Sequence, residues 1–155
     1  MRIAQWASFL NKNANAITDF FKVQPLKKLT AMFSCQPSSF WKEHYNFTMN
    51  TTKTKMNVGK SFINIILINS FFPIAFVYSK ERLNIELNDW ILDIMEEMQA
   101  EKNYIITEWI DAGIVPQNAF QSQALIHLYE NFCKPRFCLR CNIGTYILLQ
   151  TKELF

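Results

Sequence analysis

Three cysteines near the end of the chain are the strongest chemical signal in the sequence. Cys133, Cys138 and Cys141 follow a C-x4-C-x2-C pattern. Two cysteines separated by two residues can bind one metal ion in a tight turn, and the third would arrive from the end of a helix. Thiolates are soft ligands that suit zinc or an iron–sulfur cluster, and plant-type ferredoxins use the same spacing with a distant fourth cysteine. The pattern therefore predicts a metal site at these three residues.

Two other interpretations use the same residues. The cysteines could be reduced, half-buried thiols that pack as small apolar side chains, or Cys138 and Cys141 could form a redox pair. Basic residues alternate with the thiols at Lys134, Arg136 and Arg140. Their charges would offset thiolates at a metal site, or lower the thiol pKa where no metal is bound.

A tetrahedral site also needs a fourth ligand, which the sequence leaves open. Cys35 is the only other cysteine, and His44 and His127 are the only histidines. His127 precedes Cys133 by six residues on a predicted helix, which places it about 240° around the axis at about 100° per residue. Because it does not share the face of Cys133, we do not expect His127 to be a ligand.

The composition predicts an all-α fold for the elements that position these thiols. Half of the 155 residues are hydrophobic, and there are only 3 glycines and 5 prolines. Glycine and proline are the residues that turns require, and so few of them argue against a sandwich, a barrel or a glycine-rich phosphate-binding fold. The net charge of +3 is too small for a dedicated nucleic-acid binder. We expect one domain over residues 1–155, an irregular bundle of seven or eight helices closed by a cysteine hairpin at residues 133–141.

The spacing of apolar residues locates the helices. It is most clearly helical over residues 85–98, and it predicts another helix near residues 104–110, stopped by Gly113. A further helix should run from about residue 118 to 132, directly before the hairpin. We expect the core to contain Trp6, Phe20, Leu29, Ile66, Phe76, Trp90, Ile94, Ile105, Trp109, Leu125 and Leu128.

The segment over residues 62–78 is apolar enough to raise the question of a membrane span. Asn64, Asn69 and Ser70 interrupt it, and Pro73 lies near its middle. An interior proline removes a helix hydrogen bond and clashes with the preceding turn. We therefore expect two helical pieces, kinked or broken at Pro73 and buried on most sides. Residues 1–10 lack the features of a secretory signal, so we expect a cytoplasmic protein that is not bound to a membrane.

Six short blocks stand along the chain: RIAQ at 2–5, WKEHY at 41–45, GKS at 59–61, AEKN at 100–103, NAFQSQALI at 118–126 and FCKPRFCLRCNIG at 132–144. Together, and in this order, they resemble a bacterial family of unknown function, DUF2851. The resemblance implies that this chain corresponds to the C-terminal portion of longer proteins, whose upstream part resembles a restriction-endonuclease-like core. Nothing in these residues matches that core, so the resemblance implies no catalysis in this chain alone. It supports the site at Cys133, Cys138 and Cys141, but not Cys35.

These observations favour a non-catalytic helical accessory domain with a structural metal or iron–sulfur site at the three cysteines. One alternative is a nucleic-acid-binding module that supports a nuclease domain outside this chain, since basic residues surround the thiols. The other is a thiol redox sensor. These interpretations give two candidate partners, an upstream domain of a longer homologue and nucleic acid.

Overall fold

The computed structural model describes residues 2–13, 21–33, 36, 38–44, 46–50 and 58–150. These residues are predominantly helical, and the β pairing found among them is one isolated bridge between His44 and Asn50. The all-α prediction is therefore confirmed. Seven helices are present in the described part of the chain. They are α1 (Arg2–Lys12), α2 (Leu26–Met32), α3 (Lys60–Glu81), α4 (Ile85–Glu97), α5 (Tyr104–Asp111), α6 (residues 119–133) and α7 (Asn142–Gln150).

The chain divides into two compact units, Met1–Ile94 and Met95–Phe155. Compactness does not by itself show that either unit folds alone. The expectation of one domain over residues 1–155 therefore stays a prediction.

The core of the first unit is built from α2, α3 and α4. Leu29, Leu67, Phe72, Leu87 and Ile91 are almost completely buried. The buried rings of Phe72 and Trp90 meet edge to face, with centroids 6.4 Å apart. The Trp90 indole N–H donates a hydrogen bond to the Gln24 carbonyl oxygen at 2.8 Å, so this large side chain is buried without leaving its polar atom unsatisfied.

The predicted core residues of this unit have mixed outcomes. Burial is confirmed for Leu29, Trp90 and Ile94. The side chains of Trp6, Ile66 and Phe76 are only half-buried, so their predicted burial in the core is not confirmed. Phe20 lies outside the described residues.

Pro73 does not break the apolar segment, so the prediction of a break into two helical pieces at this residue is wrong. Helix α3 is continuous and contains a π-helical turn at Leu67–Phe71, directly before the proline. Pro73 then occupies the first turn of the α-helical section Phe72–Glu81. A π turn adds one residue to a helical turn. This accommodates proline, because its backbone nitrogen carries no hydrogen to donate.

Helix α3 is also less buried than expected. One face carries Ile63, Leu67 and Phe72 into the core, but Ile74 is 60% and Val77 is 62% exposed. The prediction that α3 is buried on most sides is therefore wrong. Apolar residues lie on every side of this helix, so the sequence does not indicate which face packs. By length and composition alone α3 could also cross a membrane, a property that core helices of soluble proteins share.

The second unit contains α5, α6 and α7. Asparagine side chains cap two of these helices: Asn103 accepts a hydrogen bond from the Ile106 N–H at 3.0 Å, and Asn118 accepts one from the Gln121 N–H at 2.9 Å. Gly113 has φ +87° just after α5, which confirms that a glycine in left-handed geometry ends this helix.

Core predictions for the second unit are confirmed only for Ile105, which is buried. Trp109, Leu125 and Leu128 are half-buried. The Trp109 indole N–H donates to the Leu125 carbonyl oxygen at 3.2 Å, which ties α5 to α6.

Candidate cysteine site

The chain reverses direction between Cys133 and Cys138, directly after α6. The last turn of α6 is π-helical, over Tyr129–Cys133. The Phe137 N–H donates back to the Phe132 carbonyl oxygen at 2.8 Å, and the Arg136 N–H donates to the Cys133 carbonyl oxygen at 3.0 Å. Arg136 has φ +58°, a left-handed conformation that a non-glycine residue adopts at a cost of about 1 kcal/mol. These two bonds close a tight turn between the end of α6 and Cys138.

A 3₁₀ turn over Cys138–Arg140 connects the remaining two cysteines. The Cys141 N–H donates to the Cys138 carbonyl oxygen at 3.3 Å, which closes the C-x2-C segment. Helix α7 follows at once, and the Thr145 N–H donates to the Cys141 carbonyl oxygen at 2.8 Å. The short loop therefore joins the thiols directly to the start of α7.

Gly144 is the residue of this site that sequence reasoning missed. A Cβ atom at this position would lie 2.5 Å from the carbonyl oxygen and 3.0 Å from the Cα of Cys138. Both contacts are with backbone, which cannot swing aside as a flexible side chain can. A glycine three residues after a C-x2-C segment was the available signal, because it marks a place where two stretches of backbone approach closely.

The three thiols differ in exposure. Cys133 and Cys138 are exposed and Cys141 is buried, and all three are free. Partial desolvation raises the pKa of Cys133, and the neighbouring Cys141 and Cys138 raise it further. Each negative charge nearby makes a second thiolate harder to form. The Cys133 thiol is therefore harder to ionise than a free cysteine.

The structure does not arrange these thiols as a finished metal site. Across the described ranges, no group of three or more His, Cys, Asp or Glu side chains is placed to hold a metal ion. Cys35 lies outside the described residues. His44 belongs to the first unit, where its ring stacks on Phe40 with centroids 3.9 Å apart, and His127 is exposed on α6 with its Nδ1 3.2 Å from the Asn131 amide nitrogen. The fourth ligand stays open.

The basic residues of the hairpin have different surroundings. Lys134 forms an ion pair with Glu130 at 2.7 Å, and its hydrogen bond to that carboxylate raises the Lys134 pKa. Arg140 places its guanidinium 5.3 Å from the centre of the Phe137 ring. Because Glu130 neutralises Lys134, the arginines are the cations that this hairpin can offer to thiolates or to an anionic partner.

A separate apolar pocket lies in the first unit, between α1 and α3. The pocket is open to solvent, and the space in and above it amounts to about 250 Å³. Its lining consists of Gln5, Trp6, Phe9, Phe33, Val58, Phe62 and Ile66. Phe9 and Phe33 stack with centroids 4.9 Å apart. The lining holds aromatic and aliphatic side chains and one amide, so it provides packing surface rather than acid–base chemistry.

Fold and site together define an all-α protein with three free thiols in the turn between α6 and α7. The family model described as "Protein of unknown function (DUF2851)" matches residues 1–104, and the chain therefore belongs to the DUF2851 family. No curated protein and no solved structure matches the chain. The matched region contains the blocks at 2–5, 41–45, 59–61 and 100–103, but ends before the hairpin. The resemblance over residues 118–144 thus stays a prediction.

Proposed function

We propose that this chain is a non-catalytic helical accessory domain whose hairpin binds a thiophilic metal through Cys133, Cys138 and Cys141. Zinc is the first candidate and an iron–sulfur cluster the second. The observation that carries the proposal is the tight turn at residues 133–141, in which the Phe137 N–H bonds back to the Phe132 carbonyl oxygen and the Cys141 N–H to the Cys138 carbonyl oxygen. Bound metal would tie the end of α6 to the start of α7.

The electrostatics of the thiols support this proposal. Burial, and then the neighbouring Cys141 and Cys138, raise the pKa of the Cys133 thiol, which supports a grouping of the three thiols. A divalent cation changes the sign of that interaction, because it stabilises each thiolate that binds it. The neighbours that disfavour a lone thiolate would then become additional ligands.

Metal binding would have to close the hairpin, since the thiols are not arranged as a ligand set. Two of the three are exposed, and their movement towards Cys141 would not disturb a packed core. The backbone near Cys141 is held more firmly, by the contact between Gly144 and Cys138. We therefore propose that Cys141 marks the preformed side of the site and that Cys133 and Cys138 close upon the metal.

Metal content is the direct test. The intact chain and a Cys133→Ser, Cys138→Ser, Cys141→Ser variant would be purified anaerobically and analysed for zinc, iron and labile sulfide, with an absorption spectrum. Cys35→Ser is the matched control: it should keep its metal, with weaker affinity only if Cys35 is the fourth ligand. We expect about one zinc per chain in the intact protein and none in the triple variant. Absence of stoichiometric metal after reconstitution would refute the proposal.

A nucleic-acid-binding role is the second candidate. It is favoured by the exposed Arg136 and by Arg140 beside the exposed ring of Phe137, because cations next to aromatic rings suit phosphates and unstacked bases. Binding should weaken steeply with salt, by roughly one unit of log–log slope per phosphate contact. No measurable binding at low salt would exclude it.

A redox role has less support. Reactive thiols have a depressed pKa, whereas the pKa of Cys133 is raised. Normal alkylation kinetics at Cys138 and Cys141 would count against a redox pair formed by these two residues. We further propose that the domain acts in the cytoplasm beside an upstream domain of a longer homologue, which copurification with such a domain would test.

A further inference from the structure

We draw no further inference here: the strongest candidate, the apolar face of α7 with its exposed Ile143, Tyr146 and Ile147 directly after the cysteine turn, carries no proposal because nothing in the structure shows what covers it.

Discussion

Replacing Gly144 with alanine should loosen the junction between the hairpin and α7. The new Cβ would lie 2.5 Å from the Cys138 carbonyl oxygen, so one of the two backbones must shift. Overpacking of this kind costs about 1–3 kcal/mol. Replacing a helical glycine with alanine gains about 1 kcal/mol in helix propensity. Because the clash is with backbone, we expect the clash to exceed the propensity gain, with a net local loss of up to about 2 kcal/mol.

Hydrogen exchange is the assay best suited to this change, because it reports the opening of one segment rather than of the whole chain. A loss of up to about 2 kcal/mol corresponds to exchange up to roughly 30-fold faster in peptides covering residues 138–150. Gly59→Ala is the matched control, since a Cβ there has no atom within 4 Å. It should leave the same peptides unchanged.

The opposite result would be informative. If Gly144→Ala slows exchange or leaves it unaltered, the propensity gain exceeds the clash, and the close approach to Cys138 is not a constraint on the hairpin. The assignment of Gly144 to the cysteine site would then be wrong. If the hairpin binds metal as proposed, the same variant should also weaken metal affinity, because the backbone beside Cys141 would no longer be held.

Three further changes test the surrounding framework. Asn118→Ala removes the cap of α6 and should lower the unfolding free energy by about 1 kcal/mol in denaturant titrations. An unchanged unfolding free energy would contradict the cap hydrogen bond. Trp90→Phe leaves the buried Gln24 carbonyl oxygen without its indole donor and should cost about 1–3 kcal/mol; a loss under about 0.5 kcal/mol would contradict that bond. Alkylation of Cys133 should rise with pH around a midpoint above that of a free cysteine, because its pKa is raised. Serine at the two neighbouring cysteines should lower that midpoint, and an unchanged midpoint would show that the thiols do not interact.

Local signals predicted the parts of the fold that depend on near neighbours in sequence. Helix α4 shows a clear apolar period, and Leu87, Trp90 and Ile94 are buried as that period requires. Gly113 ends α5 because its left-handed backbone needs no tertiary support. Helix α3 was harder to predict, since apolar residues surround its axis and a π turn offsets the usual effect of Pro73.

The candidate site shows the same division. The C-x4-C-x2-C spacing predicts that the three thiols form a ligand set, which stays a prediction, since no group of three or more ligating side chains is placed to hold a metal ion in the part of the chain that the structure describes. The spacing could not predict that Cys141 alone is buried, or that Gly144 holds the loop against the helix. Those features depend on turn conformations that several residues adopt together.

The sequence by itself determined the helical class, the ends of the best-formed helices and the place where soft-ligand chemistry is concentrated, because each follows from short-range periodicity and residue type. Only the tertiary structure decided which face of α3 packs, how the hairpin is held and that α7 is left exposed. These outcomes depend on which apolar surfaces find partners within a unit. Side-chain burial is a property of the packed chain, and no local pattern specifies it when a helix is apolar on several sides.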